Sequence, residues 1–345
     1  MHTSMPRIGG LPAGPSDSIA DVAGVTVGHC TLAQDAVQTG VTVIRPHAGD
    51  PYCDKVPAAA TVLNGFGKSV GLVQVDELGV LETPVALTNT FSVGAVAQAQ
   101  IRAAVAANPE IGRALPTVNP LVFECNDGYL NDIQRMAVEG RHYDAALAGA
   151  GQDIAQGAVG AGRGMSSFGV KGGIGTASRM ADGYCVGALV LANFGTPESL
   201  TVGGQLLGPE LVKRLAQADT TAQPEKGSII MILATDAPLD ARQLRRLSLR
   251  AGAGLARTGS VFGHGSGDIA LAFSTAYTVP HQADQPMPAV AMLHETRLDP
   301  LFRAAADSVE QAILHALWHA ATVQGRDGHC RRALLDVMPE LGKTA

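Results

Sequence analysis

Hydrophobic residues along this chain follow two spacings, one of two residues and one of three to four residues. The alternation in "VTVGHCTL" and "TGVTVIRP" is typical of short strands, and the Gly and Pro around them predict an opening hairpin or meander. The Ala-rich stretch "SVGAVAQAQIRAAVAANP" predicts a helix that stops at Asn-Pro. The first third of the chain therefore mixes strands with helix.

Later segments continue this mixture with strands that are apolar throughout. The predicted strands are "PLVFEC", which runs into the polar turn "NDGYLND", then "CVGALVLANFG", "SIIMILAT" and "IALAFSTAYTV". Helices are predicted in "IQRMAVEGRHYDAALAGA", "ARQLRRLSLRAGAGLART" and "LFRAAADSVEQAILHALWHAATV". Strands that are apolar on both faces need a covering layer on each side, so the pattern predicts a layered α/β or α+β fold.

Two segments lack either spacing. The glycine-dense "GAVGAGRGMSSFGVKGGIGTASRM" is predicted to form loops ahead of the strand "CVGALVLANFG". The polar "RLAQADTTAQPEKG" is the best linker candidate, and it leads directly into the apolar strand "SIIMILAT".

Composition and charge limit the classes of partner that the chain is expected to bind. The chain has 345 residues, 46% of them hydrophobic, so length alone leaves the number of domains open. A net charge of −6 without any Lys/Arg block argues against nucleic acid and against an anionic membrane surface, and favours a small-molecule substrate. No apolar run approaches the roughly 20 residues of a spanning helix, and the Gly- and Pro-bearing start does not resemble a signal peptide. We therefore expect a cytoplasmic protein.

The 5 cysteines are widely spaced and include no C-x-x-C pair, so the sequence predicts neither a zinc site nor a disulfide scaffold. His315 and His319 lie four apart on a predicted helix, but no H-E-x-x-H motif or third ligand accompanies them. They are expected on an exposed or partly buried helix face. The glycine-dense region lacks G-x-x-x-x-G-K-[ST] and has Met165 where G-x-G-x-x-G needs glycine, which argues against nucleotide binding.

The junction in "EKGSIIMILATDAPL" is the first candidate for chemistry. A serine that begins a buried strand usually has no special role, and that structural interpretation applies to Ser228 on spacing alone. Gly227 before it, however, permits the unusual backbone that an attack of the serine hydroxyl on the preceding carbonyl requires. Such an N-to-O acyl shift, followed by hydrolysis of the ester, would free an α-amine on Ser228.

That amine would give the serine its own base. An α-amine has an unperturbed pKa of about 8, so an appreciable fraction is neutral near pH 7 and can accept the hydroxyl proton. Nucleophile and base would then belong to one residue, as in the N-terminal variants of the serine triad.

Polar residues elsewhere could complete such a site. In "GHGSGD", Ser266 and Asp268 lie two residues apart in a loop before a strand, where they could orient the nucleophile and hold the ammonium form of the amine. An Asx- or Ser-turn is the alternative for this pair. Tyr129 in "NDGYLND" and Asn193 in "ANFG" follow strands and are neutral donors that could stabilise an oxyanion.

Six stretches in order, "DVAGVTVGH", "NDGYLNDI", "GAGRGMSSFGVKGGIGTASR", "ANFG", "GSIIMILATDAPL" and "GHGSGDIALAFST", resemble the self-processing serine aminopeptidases of the L-aminopeptidase/D-esterase and β-peptidyl aminopeptidase family. The resemblance spans nearly the whole chain. It implies a four-layer α/β/β/α sandwich similar to N-terminal-nucleophile hydrolases but with different connectivity, and a homo-oligomer of processed units.

The same resemblance implies cleavage between Gly227 and Ser228, which would divide one hydrolase domain, 1–345, into an α chain 1–227 and a β chain 228–345. It makes Ser228 the nucleophile, with support from Ser266 and Asp268. The family can carry glutamate in place of Asp268, and the shorter aspartate reaches about one methylene less far.

By the resemblance, Tyr129 and Asn193 would form the oxyanion site, and no metal or organic cofactor would take part. The implied activity is release of an N-terminal residue from small peptides, amides or esters. Such an enzyme must recognise a free amine, and Glu124 is the candidate carboxylate; a solvated or turn-capping glutamate is the alternative.

Two other functions stay open. An acyltransferase on a similar self-cleaving fold would pass the acyl group to an amine, although relatives of that kind generally use threonine as the nucleophile. An unprocessed, non-catalytic binding member of the family is the second, and the joint presence of Ser228, Ser266, Tyr129 and Asn193 argues against it.

Overall fold

The computed structural model describes residues 5–217 and 227–342. The strands of these ranges are β1 Thr26–Gln34, β2 Val37–Arg45, β3 Asp54–Gly65, β4 Val80–Leu81, β5 Val85–Asn89, β6 Leu121–Cys125, β7 Ser166–Ser167, β8 Val170–Lys171, β9 Gly173–Ala181, β10 Tyr184–Asn193, β11 Thr201–Val202, β12 Gln205–Leu206, β13 Ser228–Thr235, β14 Gly267–Ser274, β15 Val279–Pro280, β16 Val323–Gln324 and β17 Cys330–Arg331. The helices are α1 Leu72–Leu78, α2 Val93–Ala107, α3 Gly140–Ala148, α4 Gly208–Gln217, α5 Ala241–Arg257, α6 Leu298–Trp318 and α7 Leu334–Val337.

Most of the strands belong to two sheets. The smaller sheet has four strands in the order β1-β2-β5-β6, and the larger has the order β15-β3-β14-β13-β10-β9, with β4 paired to β3. The first two strands form the antiparallel hairpin predicted from the sequence. In the larger sheet β13 runs antiparallel to β10 and parallel to β14, so the start of β13 lies between the end of β10 and the start of β14.

Helices cover the outer face of each sheet. Helices α2 and α3 pack on the smaller sheet, and α5 and α6 pack on the larger one. The apolar cluster between the sheets takes residues from both, among them Ile44, Leu87, Phe123, Leu191, Ile230 and Leu271. Separate clusters join each sheet to its own helices. The structure therefore has the four α/β/β/α layers, and both faces of β13 and β14 are buried, as their unbroken apolar sequences predicted.

Three predicted elements differ from those observed. The helix expected over 133–150 exists only as α3, because Met136 takes a left-handed conformation with φ of 46° after the short 3-10 turn Ile133–Arg135. The strand expected over 269–279 leaves regular pairing after Ser274.

The polar segment predicted as a linker lies largely in 218–226, outside the described residues.

The glycine-dense region is the third difference, since it contains the nine-residue strand β9 rather than loops alone. A Cβ on Gly175 would stand 1.9 Å from the carbonyl oxygen of Ala312 in α6. The glycines of this strand thus allow a helix to lie directly on the sheet, a use of glycine that sequence spacing does not distinguish from a loop.

None of the helices in the described ranges combines the length and apolar character needed to cross a bilayer.

Candidate functional site

Ser228 is the first residue of β13, and its side chain is buried in the larger sheet. Asn193, the last residue of β10, pairs with it on one side, and Asp268 of β14 pairs with the following residue, Ile229, on the other. The backbone N–H of Gly267 donates a hydrogen bond to Ser228 Oγ at 3.1 Å. Because Oγ accepts this bond, its own hydrogen stays available for transfer to a base.

Gly227 sits where a side chain has no room. A Cβ at this position would stand 2.5 Å from the Cα of Phe194 and 2.7 Å from the carbonyl oxygen of Asn193. These distances are far below normal van der Waals contact, so the close approach of β10 requires glycine here. The residue just before Ser228 is thereby packed against the end of β10, at Asn193 and Phe194.

Ser266 and Asp268 form a direct pair, with Ser266 Oγ donating to Asp268 Oδ1 at 2.5 Å. The aspartate therefore reaches the serine, although its side chain is one methylene shorter than that of a glutamate. Burial raises the pKa of the Asp268 carboxyl, and the hydrogen bond from Ser266 opposes that shift. The second oxygen, Oδ2, is buried and accepts no hydrogen bond from the described residues.

The amide of Asn193 is held at both ends. Its Oδ1 accepts a hydrogen bond from the backbone N–H of Ser166 at 2.9 Å, and its Nδ2 donates to the carbonyl oxygen of Asn126 at 3.1 Å. An amide nitrogen carries two hydrogens, so this pairing leaves a second N–H on Asn193 to donate elsewhere. The contacts on both sides fix which end of the amide is the donor.

Tyr129 lies in the turn that starts at Asn126, but its side chain packs against the C-terminal segment. Its ring stacks on His329 with centroids 4.6 Å apart, and the guanidinium of Arg331 lies 3.6 Å from the ring centroid. Among the described residues, no hydrogen bond joins the Tyr129 hydroxyl to Ser228 or Asn193. The C-terminal segment carries no motif, so sequence reasoning missed its contact with this turn.

Glu124 is not solvated, because it lies buried in β6. Its carboxylate accepts hydrogen bonds from the backbone N–H of Lys68, at 2.8 Å, and from the hydroxyl of Thr90. A Cβ on Gly67 would lie 3.6 Å from Glu124 Oε1 and 3.8 Å from the Cα of Gly267. Glu124 and the residue that hydrogen-bonds Ser228 thus flank the same glycine.

A cleft of about 300 Å³ opens beside Gly227 and Ser266. It is lined by the end of β10 and by the loop before β14, with Phe194, Thr196, Ser199, Val261 and His264 among the lining side chains. The cleft is large enough for a small aminoacyl group and reaches the peptide bond before Ser228.

Asp127 is a buried carboxyl group that the sequence interpretation treated only as a turn former. Its Oδ1 accepts a hydrogen bond from the side chain of Asn131 at 3.0 Å. Burial, only partly offset by hydrogen bonds from Thr39, Asn131 and Asn89, raises its pKa to about 7. Because Asn126 precedes it and contacts Asn193, Asp127 helps to fix the turn beside the candidate site.

The raised pKa of Asp127 predicts a pH-dependent stability. The folded protein favours the neutral carboxyl, so this contribution is complete below the unfolded pKa, near 3.8, and is lost as the pH rises through about 7. Asp127→Asn stays neutral, so its melting temperature should fall less between pH 5 and pH 8 than that of the wild type. Thermal unfolding at both pH values measures this, with exposed Asp284→Asn as the control. Parallel pH profiles for wild type and Asp127→Asn would contradict the assignment.

Within the described ranges, no group of three or more His, Cys, Asp or Glu side chains is arranged to hold a metal ion. The candidate site therefore consists of a serine, its neighbouring backbone, neutral donors and two buried carboxylates, Asp268 and Glu124.

Comparison with known proteins agrees with this arrangement. The model of peptidase family S58 matches residues 17–331. The chain is 37% identical over 335 residues to the β-peptidyl aminopeptidase BapA of Sphingosinicella xenopeptidilytica, covering 90% of this chain and 83% of that one.

Two solved structures have nearly the same fold. A β-aminopeptidase of Burkholderia sp. superimposes with a TM-score of 0.88 at 41% identity, over 98% of both chains. The L-aminopeptidase D-Ala-esterase/amidase of Ochrobactrum anthropi, a prototype of the serine aminopeptidases with a variant of the Ntn hydrolase fold, gives 0.86 at 35% identity over 97% of this chain and 98% of that one.

Proposed function

The chain belongs to peptidase family S58 and is an aminopeptidase, and we propose that it works through an acyl-enzyme on Ser228 after breaking its own Gly227–Ser228 bond. The observation that carries this proposal is the position of Ser228. It begins a buried strand with its hydroxyl on the N–H of Gly267, between the strand that ends at Asn193 and the strand that carries Asp268.

Processing begins with attack of Ser228 Oγ on the carbonyl carbon of Gly227. The tetrahedral intermediate expels the Ser228 nitrogen, which takes up a proton, and leaves Gly227 esterified to Oγ. Water then attacks the ester and releases the Gly227 carboxylate and the Ser228 hydroxyl. The products are an α chain 1–227 and a β chain 228–345 that stay together through the shared sheet, since β13 pairs with β10 along the whole length of β13.

In substrate hydrolysis the freed α-amine of Ser228 accepts the hydroxyl proton as Oγ attacks, and later returns a proton to the leaving amine. Asp268 is placed to hold the resulting ammonium. It pairs in register with Ile229, which follows the new N-terminus in sequence. Its buried Oδ2 accepts no hydrogen bond from the described residues and can therefore accept one from the ammonium. Ser266 fixes the orientation of this carboxylate through its hydrogen bond to Oδ1.

The oxyanion of the tetrahedral intermediate is assigned to Asn193, which is paired directly with Ser228, so that the two side chains share a face of the sheet, and whose amide keeps one N–H uncommitted. Tyr129 is proposed as the second donor. It belongs to the turn whose Asn126 carbonyl oxygen accepts a hydrogen bond from Asn193.

Glu124 is proposed to bind the free amine of the substrate, because it is a buried carboxylate next to the nucleophile's backbone contact. Glu124→Gln can keep both existing hydrogen bonds, since the Thr90 hydroxyl can accept as well as donate. The variant removes the charge, so KM for an aminoacyl amide should rise roughly tenfold to a hundredfold with a smaller change in kcat. Asp76→Asn, on the exposed face of α1, is the control, and an unchanged KM in Glu124→Gln would exclude the role.

The substrates proposed are small peptides, amides and esters with a free N-terminal amine. The relatives are named for β-aminoacyl, L-aminoacyl and D-alanyl substrates, so the test panel contains amides of all three classes. We also propose that the protein is cytoplasmic, which agrees with its five unpaired cysteines. We propose in addition that the processed units assemble into a homo-oligomer.

Denaturing mass analysis of the purified protein tests the processing step. Two fragments, the smaller beginning Ser-Ile-Ile-Met, are expected. A single chain of 345 residues without amidase activity would favour the non-catalytic alternative. Adding a free amine acceptor to the assay tests the other alternative, because an acyltransferase would form the new amide faster than the hydrolysis product.

A further inference from the structure

Lys171 is a fully buried lysine near the candidate site, and the proposed chemistry does not use it directly. It lies in β8 of the short β7–β8 hairpin. Its Nζ donates hydrogen bonds to three carbonyl oxygens, those of Gly162 at 2.8 Å, Met165 at 2.6 Å and Gly172 at 2.8 Å. A neutral amine has only two hydrogens, so these three bonds require the charged ammonium.

One of these carbonyls belongs to the peptide unit that holds Asn193. Lys171 Nζ binds the oxygen of the peptide between Met165 and Ser166, and the N–H of that same peptide donates to Asn193 Oδ1. The amide of Asn193 then donates from Nδ2 to Asn126. An ammonium, a peptide and a side-chain amide therefore form one continuous chain of hydrogen bonds.

Such a chain has a direction. A positively charged donor at the carbonyl oxygen of a peptide polarises that peptide and makes its N–H a stronger donor. A strong donor at Oδ1 of a side-chain amide likewise strengthens the N–H groups at Nδ2. The low dielectric of a buried site preserves this effect, because no water competes for the groups.

We propose that Lys171 is a positioning residue that orients and polarises the oxyanion donor Asn193 through the peptide bond between Met165 and Ser166. The proposal rests on the assignment of Asn193 as an oxyanion donor. Lys171 acts in the transition state and does not contact the substrate, so its effect belongs in kcat.

A double-mutant cycle tests the proposal, with Lys171→Met, Asn193→Ala and the double variant. Lys171→Met should lower kcat for an aminoacyl amide roughly tenfold to a hundredfold with little change in KM, less than loss of the donor itself. The chain of hydrogen bonds from Lys171 through the Met165–Ser166 peptide to Asn193 is here called the relay. In the Asn193→Ala background, Lys171→Met should lower kcat by less than about twofold, because the relay no longer ends on a donor.

Ser167→Ala is the matched control. Ser167 Oγ accepts a hydrogen bond from the N–H of Phe194 at 3.2 Å, so this variant loosens the same hairpin against the same strand end without touching the relay. Its kcat should stay within about threefold of wild type. If Lys171→Met does not accumulate as folded protein, Lys171→Gln takes its place, since glutamine keeps a donor but not the charge.

The outcomes separate the two proposals. Normal turnover in Asn193→Ala would overturn the oxyanion assignment and the relay with it. Impaired Asn193→Ala together with normal kcat in Lys171→Met, additive effects in the double variant, or an equal loss in Ser167→Ala would overturn the relay alone.

Discussion

Ser228→Ala is expected to leave a single chain of 345 residues with no measurable aminopeptidase activity. The substitution removes the hydroxyl that attacks Gly227, so neither the ester nor the new N-terminus can form. It would also remove the nucleophile from any processed enzyme. Denaturing mass analysis reports the first loss, and an aminoacyl amide assay reports the second.

The fold should tolerate Ser228→Ala, because Ser228 Oγ accepts only one hydrogen bond from the described residues, from Gly267. Loss of that bond costs about 1 kcal/mol, too little to unfold a domain of this size. Circular dichroism should therefore match the wild type. Ser228→Cys is the informative partner, since a thiol can still attack and some processing should return. A processed Ser228→Ala protein would place the nucleophile elsewhere.

The layered fold could be predicted from the sequence because the buried strands have apolar sequences. The run 229–234 is apolar at every position, and the structure places it in the middle of a sheet with a second sheet on one face and helices on the other. Hairpin β1–β2 was equally readable from alternation and its flanking residues. These are local signals that tertiary contacts did not override.

The sequence analysis missed elements whose residues allow close contact with a neighbouring element and do not follow the spacing of a strand or helix. Strand β9 was hidden by glycines such as Gly175, which are there because α6 crosses the sheet at that point. Glycine propensity alone favours a loop, and only knowledge of the neighbouring helix reverses that interpretation. The left-handed Met136, which delays α3, has no sequence signal either.

The candidate site shows the same division. The identities of Ser228, Ser266, Asp268 and Asn193 came from motif order, and the structure brings these residues together at adjacent strand ends. What holds them could not be read from sequence.

Lys171 and Asp127 both lie in stretches that carry the family resemblance, but nothing in those stretches shows that the ammonium and the carboxyl are buried or what they contact. Lys171 acts through backbone carbonyl groups, which any residue type can supply, and Asp127 is held by side chains from other parts of the chain, among them Thr39 and Asn89. Their roles become visible only when the hydrogen bonds are known.

Asn193→Ala should lower kcat for an aminoacyl amide roughly a hundredfold to a thousandfold, with KM nearly unchanged, as loss of one oxyanion donor does. The Asn193 side chain shares a face of the sheet with its directly paired neighbour Ser228, and the Gly227 carbonyl is the first carbonyl that Ser228 attacks in the proposed mechanism. The variant should therefore process slowly as well, by a similar factor, because both reactions pass through an oxyanion at one place. Time courses of chain cleavage and single-turnover hydrolysis measure the two factors independently.

Asn193→Asp gives the sharper test of that shared oxyanion site. It keeps the shape of the side chain and the acceptor for the Ser166 N–H, but it replaces the Nδ2 donor with an oxygen that repels a developing anion. If Asn193 acts only by packing, the aspartate should be the milder substitution. If it stabilises the oxyanion, the aspartate should be at least as damaging as alanine in both reactions. Fast processing combined with slow hydrolysis would show that the two reactions use different donors, and would separate the Gly227 carbonyl from the substrate carbonyl.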